Sequence, residues 1–315
     1  MTPNAQCHGV LIIGFGGPTS SAEIRPFLDR VLKGRPVPPE RYEEVVRHYE
    51  RLGGRSPYNE ITMRQAGALR ELMQRQGAAV PVAVGFRNSP PYINEALGEL
   101  AQRGVRRALG FILAAYRCEA SWERYQGDVE EARAQIGADA PEVEYPAPWH
   151  DHPLFVEAIA DRVRDAMARL DPDARKHAEL VFTAHSIPAA MAEHAPYVRQ
   201  LRESAAMIAD AIAQPRWQLA FQSRSGSPRE RWLEPDIGDA LRALSGRAAV
   251  VMPLGFLCDH VEVLYDLDVE AARIASEAGV RMERAATVGD HPRFIEMMAS
   301  IARKHLKSST LRDTP

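Results

Sequence analysis

Cysteine is scarce in this sequence of 315 residues. Cys7, Cys118 and Cys258 are the three cysteines, and they lie far apart. An odd, dispersed set indicates neither a disulfide framework nor a Cys-x-x-Cys metal knuckle, so we expect a reducing, cytoplasmic location. No apolar run approaches the roughly 18 residues that a membrane-spanning helix needs. The first residues, MTPNAQ, also lack the basic and apolar regions of a signal peptide. We therefore expect a soluble, unprocessed protein without a membrane span.

Neither sign of charge is in large excess. The chain has 39 Lys and Arg against 42 Asp and Glu, which gives a net charge of −3. Such a balance gives no general electrostatic reason to bind nucleic acid or an anionic membrane. With 45% hydrophobic residues the chain can bury a large core, and its length suggests two domains.

Two common catalytic motifs are absent. A strand predicted over 9–15 runs into a glycine-rich turn, which has the form of a ligand site, but Gly-x-Gly-x-x-Gly does not occur. Gly-x-Ser-x-Gly is missing as well. Since His185 and Ser186 are adjacent on a predicted strand, their side chains point to opposite faces. A dinucleotide site and a serine hydrolase are therefore both disfavoured.

Predicted strands and helices alternate along the whole chain. The strands are expected near 9–15, 80–86, 108–113, 142, 180–184, 218–221 and 248–252, with helical periodicity between them. This rhythm predicts an α/β fold with a mostly parallel sheet in each half. The proline-rich segment 146–153 is the best interdomain crossing, so we expect domains at 1–148 and 149–307, followed by a disordered tail at 308–315.

An acidic stretch without compensating cations stands out near the end of the chain. After a strand that ends near Pro253, Glu262, Asp266 and Glu270 follow at helical spacing on one face, and no Lys or Arg occurs between 254 and 272. A solvated acidic surface would account for this pattern. A site for a divalent cation would account for it as well, because the cation turns the repulsion into attraction.

Polar side chains also follow other predicted strands. His185 ends one strand, Gln222 and Ser223 end the next, and Trp232 could add stacking area for a large planar ligand. A histidine with carboxylates and no cysteine suits Fe²⁺, Mn²⁺ or Zn²⁺ in a transient site. Lys33 and Arg35 lie in a proline-stiffened loop that could hold an anion, although a basic surface loop is the commoner structure.

Several of these segments together resemble the ferrochelatase family, the lyases that insert ferrous iron into a porphyrin in haem biosynthesis. The matching segments are LIIGFGGP (11–18), LGGRSP (52–57), TAHSIP (183–188), FQS (221–223), WLEPD (232–236), PLGF (253–256) and DHVEVLYD (259–266).

The resemblance implies two Rossmann-like domains with a porphyrin cleft between them. It also implies a catalytic pair at His185 and Glu262, with Asp266 and Glu270 as a hydrated path for the metal. Whether His185 accepts protons or binds the metal stays open. The porphyrin-binding residues expected on this basis, together with the strand-end and loop residues above, are Phe15, Lys33, Arg35, Ser56, Tyr116, Gln222, Ser223 and Trp232.

The sequence also departs from the family pattern. Phe15 stands where some members carry a ligating tyrosine, LAAYRCE (113–119) replaces a proline- and serine-rich segment, and the C-terminus lacks the cysteines of members with an iron–sulfur cluster. We therefore expect no tightly bound cofactor, with Fe²⁺ as a substrate.

The loop between Arg25 and Gly53 is short and polar. It lacks the apolar lip that resembles a membrane dock in mitochondrial members of the family. With Lys33 and Arg35 available for carboxylates, this resemblance implies coproporphyrin III rather than protoporphyrin IX as the substrate. Transient contact with other haem-pathway enzymes is also expected. Two alternatives stay open: a chelatase that loads cobalt or nickel into a sirohydrochlorin-type ring, and a haem-binding carrier without catalysis.

Overall fold

Eight parallel strands form two separate sheets in the computed structural model, which describes residues 7–225 and 230–306. The predicted tail at 308–315 lies outside the described residues. The strands are β1 (Gly9–Gly14), β2 (Val82–Phe86), β3 (Arg107–Ile112), β4 (Glu142–Glu144), β5 (Glu179–His185), β6 (Trp217–Gln222), β7 (Ala248–Met252) and β8 (Arg281–Arg284).

Helices connect the strands and cover both sheets. They are α1 (Ile24–Leu32), α2 (Pro39–Arg51), α3 (Tyr58–Arg75), α4 (Ile93–Gln102), α5 (Arg124–Ile136), α6 (Pro153–Ala168), α7 (Pro172–His177), α8 (Ala189–Glu193), α9 (Tyr197–Ala211), α10 (Ile237–Arg242), α11 (Val261–Leu264), α12 (Ala272–Glu277) and α13 (Pro292–His305). A 3₁₀ turn at Ser21–Glu23 precedes α1, and π-helical segments at Glu119–Glu123 and Asp266–Ala271 precede α5 and α12. None of the helices in the described ranges is long and apolar enough to cross a membrane.

The two sheets have the same strand order. The first is β2-β1-β3-β4 and the second is β6-β5-β7-β8, with every neighbouring pair parallel. In each sheet the strand that comes first along the chain, β1 or β5, lies between two others and is buried on both faces, as the mainly apolar runs GVLIIG and LVFTA predict. The predicted α/β fold with two mostly parallel sheets is confirmed.

The carboxyl ends of the strands in each sheet meet at one edge, as in other open α/β sheets. Phe15 follows β1 and Arg87 follows β2 at this edge of the first sheet, while His185 and Gln222 end the paired strands β5 and β6. The edges therefore bring together residues that are far apart in the sequence.

The last helix, α13, packs against both halves of the chain. It lies on α6 and on α3, and it buries Phe294, Met297 and Met298 completely. Cys7 near the start bridges to Leu306 near its end, since the Cys7 N–H donates to the His305 carbonyl at 2.8 Å. The predicted division at 148/149 stays a prediction, but the hydrophobic core is continuous across it.

A few elements differ from the sequence prediction. The short helices α7 and α8 and the edge strand β8 were not predicted, and β8 has the charged sequence RMER with no apolar run to mark it. The acidic helix, which carries Glu262, Asp266 and Glu270 and runs from α11 to α12, is also not a uniform α-helix. It widens into π-helical turns over Asp266–Ala271. The unpredicted elements and the π-helical turns depend on tertiary contacts rather than on local periodicity.

Candidate active site

His185 lies at the carboxyl end of β5, and its imidazole is held by two contacts. The Nδ1–H donates to the Ser186 carbonyl at 2.5 Å, and Nε2 lies 3.7 Å from Oε1 of Glu262. The backbone is fixed as well, since the Tyr197 hydroxyl donates to the His185 carbonyl at 3.0 Å. A neutral imidazole in this tautomer presents its Nε2 lone pair to the region beside Glu262.

Glu262 reaches His185 because β7 and the turn after it deliver α11 to the same sheet edge. Gly255 allows this approach: a Cβ there would lie 2.7 Å from the Cβ of Ala184. The first turn of α11 is capped by His260, whose Nδ1 accepts from the Glu262 N–H at 3.3 Å. The Gln222 side chain donates to the Glu262 carbonyl. The strand end and the helix start therefore hold each other in position.

The charges of the His185–Glu262 pair depend on each other. Burial lowers the pKa of His185, but the negative charge of Glu262, 3.7 Å away, and the hydrogen bond to the Ser186 carbonyl raise it above its ordinary value. Burial raises the pKa of Glu262, yet the positive charge of His185 lowers it to about 2. Glu262 is therefore ionised at neutral pH, and His185 is a stronger base than an isolated imidazole.

Asp266 has the opposite electrostatic environment on the same helix. Burial, together with the charges of Glu262 and Glu270, raises the pKa of Asp266 to about 7, although the Ser223 hydroxyl donates to its carboxylate. Ser223 is placed for this bond by a left-handed backbone conformation, with φ of 62°. Asp266 thus changes charge near neutral pH.

The predicted acidic stripe is brought together only in part. Glu262 and Asp266 are half-buried, whereas Glu270 is exposed and lies within the π-helical segment, where its N–H donates to the Tyr265 carbonyl five residues back. The prediction of regular α-helical spacing through this segment is wrong, because the π-helical turn rotates Glu270 relative to Asp266. Within the described ranges, no three His, Cys, Asp or Glu side chains form a ready metal-binding cluster.

Compensating cations come from other elements. Arg284 on β8 pairs with Asp268 and with Asp259, at 3.0 Å and 3.3 Å. Arg41 on α2 contributes to the low pKa of Glu262. Local sequence lacks these cations, but the tertiary structure supplies them.

Phe15 directly follows β1 at the carboxyl edge of the first sheet. Its side chain is 36% exposed and contacts the ring of Phe27 edge to face at 6.1 Å. Its N–H donates to the Tyr58 hydroxyl at 3.0 Å, and the Tyr58 ring lies 6.1 Å from that of His260. These ring contacts connect the end of β1 to the start of the acidic helix.

The predicted ligand residues Lys33, Arg35 and Ser56 have different environments. Lys33 caps α1 and donates to Asp128 at 3.2 Å. Arg35 is exposed and lines a surface groove of about 450 Å³ that includes neither His185 nor Glu262. Ser56 is buried, and its N–H donates to the Pro18 carbonyl. Arg35 and Ser56 thus do not join the His185 cluster in this structure.

Tyr116 and Trp232 also differ. Tyr116 is buried in the core with its ring 6.5 Å from that of His150, so it does not line an open wall. Trp232 is half-buried in a segment that pairs with Pro188 just after His185. Its indole Nε1 is buried and finds no hydrogen-bond partner within 7–225 and 230–306. Trp232 therefore lies beside the segment that follows His185, whereas Tyr116 is part of the core; their predicted role in porphyrin binding stays a prediction.

Sequence reasoning missed two residues that fix the site: Tyr197 holds the His185 backbone, and Arg284 pairs with Asp259 and Asp268. His260 was noticeable in the motif DHVEVLYD, where it precedes Glu262 by two residues. Tyr197 and Arg284 carry no local signal, because their partners are distant in the sequence.

Comparison with known proteins identifies relatives along nearly the whole chain. The family described as Ferrochelatase matches residues 7–306. A protein named Ferrochelatase from Rhodopirellula baltica is 39% identical over 300 residues, which cover 94% of this chain and 85% of the relative. One named Coproporphyrin III ferrochelatase from Mycolicibacterium vanbaalenii is 41% identical over 300 residues, which cover 93% of this chain and 88% of the relative. A protein of the same name from Mycobacteroides abscessus is 39% identical over 318 residues, which cover 97% of this chain and 92% of the relative.

Solved structures share the fold at low sequence identity. SirB from Bacillus subtilis with Fe³⁺ superposes with a TM-score of 0.61 at 12% identity, covering 96% of each chain. CbiX, described as the terminal enzyme of sirohaem biosynthesis in denitrifying bacteria, gives a TM-score of 0.55 at 18% identity, covering 95% of this chain and all of the other. At these identities the likeness supports the two-sheet architecture.

Proposed function

The chain belongs to the ferrochelatase family, and from this premise we propose that it inserts Fe²⁺ into coproporphyrin III, with His185 and Glu262 as the catalytic pair. The protein is an enzyme of haem biosynthesis that inserts a metal ion into a porphyrin. The choice of coproporphyrin III is supported by the names of several relatives at about 40% identity.

The observation that carries the catalytic assignment is the contact of His185 with Glu262. Metallation requires that two pyrrole N–H protons leave while Fe²⁺ enters the ring, so the site needs a proton acceptor beside the macrocycle. The Nδ1–H of His185 is fixed on the Ser186 carbonyl, which leaves Nε2 as the accepting atom. Glu262, ionised and 3.7 Å away, stabilises the imidazolium that results.

Asp266 and Glu270 form the approach for the metal in this proposal. Hydrated Fe²⁺ meets the exposed Glu270 first, then the half-buried Asp266, then Glu262. Oxygen ligands of this kind can replace water around a divalent ion stepwise. Because Asp266 titrates at about pH 7, it can also carry a proton away from the site.

The wider setting follows from the same chemistry. We propose that the enzyme works in the cytoplasm, with no tightly bound cofactor and no iron–sulfur cluster, and meets other haem-pathway enzymes only transiently. What supports this is that Cys7, Cys118 and Cys258 are free, buried and distant from one another, whereas clusters are held by four closely placed thiolates.

The test is anaerobic insertion of Fe²⁺ into coproporphyrin III and protoporphyrin IX by the purified protein. We expect turnover with coproporphyrin III, and a rate at least about a hundredfold lower in His185→Ala, since general acid–base groups contribute on this scale. His194→Ala is the matched control, because His194 is exposed and outside the site. Equal rates in His185→Ala and the wild type would refute the catalytic assignment. Faster turnover of protoporphyrin IX would refute the proposed substrate.

A further inference from the structure

Three polar side chains are buried along one face of α9. Tyr197, Gln200 and Ser204 lie three and four residues apart, so their side chains project from the same face of the helix. They are 6%, 3% and 0% exposed. We call these three residues the polar stripe. Burying a polar side chain costs free energy unless it is hydrogen-bonded, so each member needs a partner.

Two members of the polar stripe fasten α9 to distant segments of the chain. The side-chain oxygen of Gln200 accepts from the Arg117 N–H at 2.8 Å, in the loop after β3. The Ser204 hydroxyl donates to the His150 carbonyl at 2.6 Å, in the segment before α6. Both partners precede the second sheet in the sequence, and the two bonds fix the position of α9 relative to them.

The third member, Tyr197, bonds the strand end that carries the catalytic histidine. Its hydroxyl donates to the His185 carbonyl at 3.0 Å, and the following N–H, that of Ser186, donates to the Gln222 carbonyl at 2.7 Å. The peptide group between His185 and Ser186 is therefore held at both ends. Burial raises the pKa of Tyr197 well above its ordinary value, so its hydroxyl stays protonated and remains a donor.

The orientation of this peptide group controls the imidazole. A rotation that releases the His185 carbonyl also moves Ser186, whose own carbonyl accepts from Nδ1 of His185 at 2.5 Å. Without that bond a neutral imidazole can carry its proton on either nitrogen. A proton on Nε2 would occupy the lone pair beside Glu262, 3.7 Å away. The Tyr197 hydroxyl therefore acts on the accepting atom through the backbone.

We propose that Tyr197 is a positioning residue for metal insertion, because its hydroxyl holds the His185 peptide and thereby keeps Nε2 free to accept a proton. Gln200 and Ser204 anchor the helix that carries Tyr197, and their bonds do not reach His185. Directional hydrogen bonds explain why this buried helix face carries polar side chains where apolar ones would pack at lower cost. The inference rests on the proposed function, in which Nε2 of His185 takes a pyrrole proton.

The first test is the substitution Tyr197→Phe, which removes one hydrogen bond and keeps the ring. The kcat for insertion of Fe²⁺ into coproporphyrin III should fall about three- to tenfold, the range of a single hydrogen bond. The KM for each substrate should stay unchanged, because a buried hydroxyl that bonds the His185 carbonyl acts on the proton acceptor and not on substrate binding.

Ser204→Ala is the matched control, because it removes another buried hydroxyl of α9 that donates to a histidine carbonyl. Both variants should lower the urea midpoint of unfolding by similar amounts, but only Tyr197→Phe should lower kcat. An unchanged kcat in Tyr197→Phe would overturn the proposal. An equal loss of kcat in Ser204→Ala would overturn it as well, because the effect would then come from general loosening of the fold.

The second test observes the imidazole directly. In protein labelled with ¹⁵N-histidine, two-bond couplings between the ring nitrogens and the carbon-bound protons distinguish the two neutral tautomers. The signals of His185 are those missing from His185→Ala. At a pH where this imidazole is neutral, we expect a single tautomer with the proton on Nδ1 in the wild type and in Ser204→Ala, and a mixture in Tyr197→Phe.

Two outcomes of the second test count against the proposal. A single tautomer in Tyr197→Phe would overturn it, and so would a mixture in the wild type, which decides the matter even if Tyr197→Phe does not fold. Absence of turnover in the wild type would refute the proposed function instead. The tautomer of His185 would then still show whether the Tyr197 hydroxyl orients the imidazole.

Discussion

At the scale of single residues, the pKa values of two carboxylates four residues apart are shifted in opposite directions. Glu262 faces the imidazole of His185, whose positive charge lowers the pKa of Glu262 to about 2. Removal from water, together with the charges of Glu262 and Glu270, raises the pKa of the half-buried Asp266 to about 7. Environment rather than residue type therefore decides that one group is permanently charged while the other exchanges protons near neutral pH.

At high pH the ionised Asp266 carboxylate should lower the stability of the folded protein. Its folded pKa of about 7 exceeds the ordinary value of 3.8, so the native state binds the proton more tightly than the unfolded state. The contribution to stability is complete below pH 3.8 and is lost as the pH rises through 7. We expect Asp266→Asn to stabilise the iron-free protein at pH 8 by up to about 4 kcal/mol, with little of this gain at pH 4.

Urea unfolding of both proteins at pH 4, 6 and 8, with a chelator present, measures this difference. Asp239→Asn is a suitable control, because Asp239 is exposed at a helix start and away from the site. A stability difference between Asp266→Asn and wild type that does not grow with pH would show that the Asp266 carboxylate is not destabilised in the native state.

The single residues of the site were predictable to different degrees. His185, Gln222, Ser223 and Glu262 follow apolar strands, and the ends of parallel strands meet at one edge, so their proximity follows from local pattern. Tyr116 was expected in the porphyrin wall and is instead buried, because AAY (114–116) is apolar enough to turn inward. Nothing in the local pattern distinguishes a wall facing a ligand from one facing the core.

At the scale of elements, α2 and the acidic helix form one unit. The rings of His48 and Tyr265 stack with centroids 3.6 Å apart and planes at 12°, and the Arg51 guanidinium lies 6.0 Å from the Tyr265 ring. Val261 packs on the small apolar cluster between α1 and α2. These contacts hold the α1–α2 segment beside the start of the acidic helix.

Tyr265→Ala should loosen α2 without unfolding the protein. Aromatic contacts of this kind contribute about 0.5–1.5 kcal/mol, so amide hydrogens in Pro39–Arg51 should exchange several-fold faster. Hydrogen exchange followed by mass spectrometry measures the effect, and α9 serves as an internal control whose protection should not change. Unaltered protection of α2 would mean that the stacking does not hold this segment.

The π-helical turn in the acidic helix could not be read from the sequence. The residues of Asp266–Ala271 have ordinary helical periodicity, with Val263, Leu267 and Ala271 buried. The Tyr265 carbonyl nevertheless accepts from both the Val269 and Glu270 N–H groups. Because such turns arise from the packing around a helix, the sequence predicts the helix but not its widening.

At the scale of the whole molecule, α13 joins the two halves. Phe294 is completely buried and contacts the rings of Trp149 and Phe155 at 6.0 Å and 6.1 Å. Since α13 also packs on α3, the chain end contributes to the core under both sheets. This last helix therefore helps to hold the two sheets together.

Phe294→Ala should destabilise the protein by about 3–5 kcal/mol, because a large aromatic side chain is removed from a site that cannot collapse easily. Met207→Ala is the control: Met207 is an exposed apolar residue, so its loss should cost no more than about 0.5 kcal/mol. Urea unfolding compares the two variants. A cost for Phe294→Ala as small as that of the control would show that α13 does not stabilise the joined core.

The sequence by itself determined the alternation of strands and helices, the parallel sheets and the strand-end residues, because apolar periodicity and turn residues act over short distances. It also determined the family, through motifs spread along the chain. Only the tertiary structure decided which charges are compensated: Arg284 reaches Asp259 and Asp268, and Asp128 holds Lys33. These pairs depend on chain segments that are distant in the sequence, and the electrostatic energy of a group depends on everything folded around it.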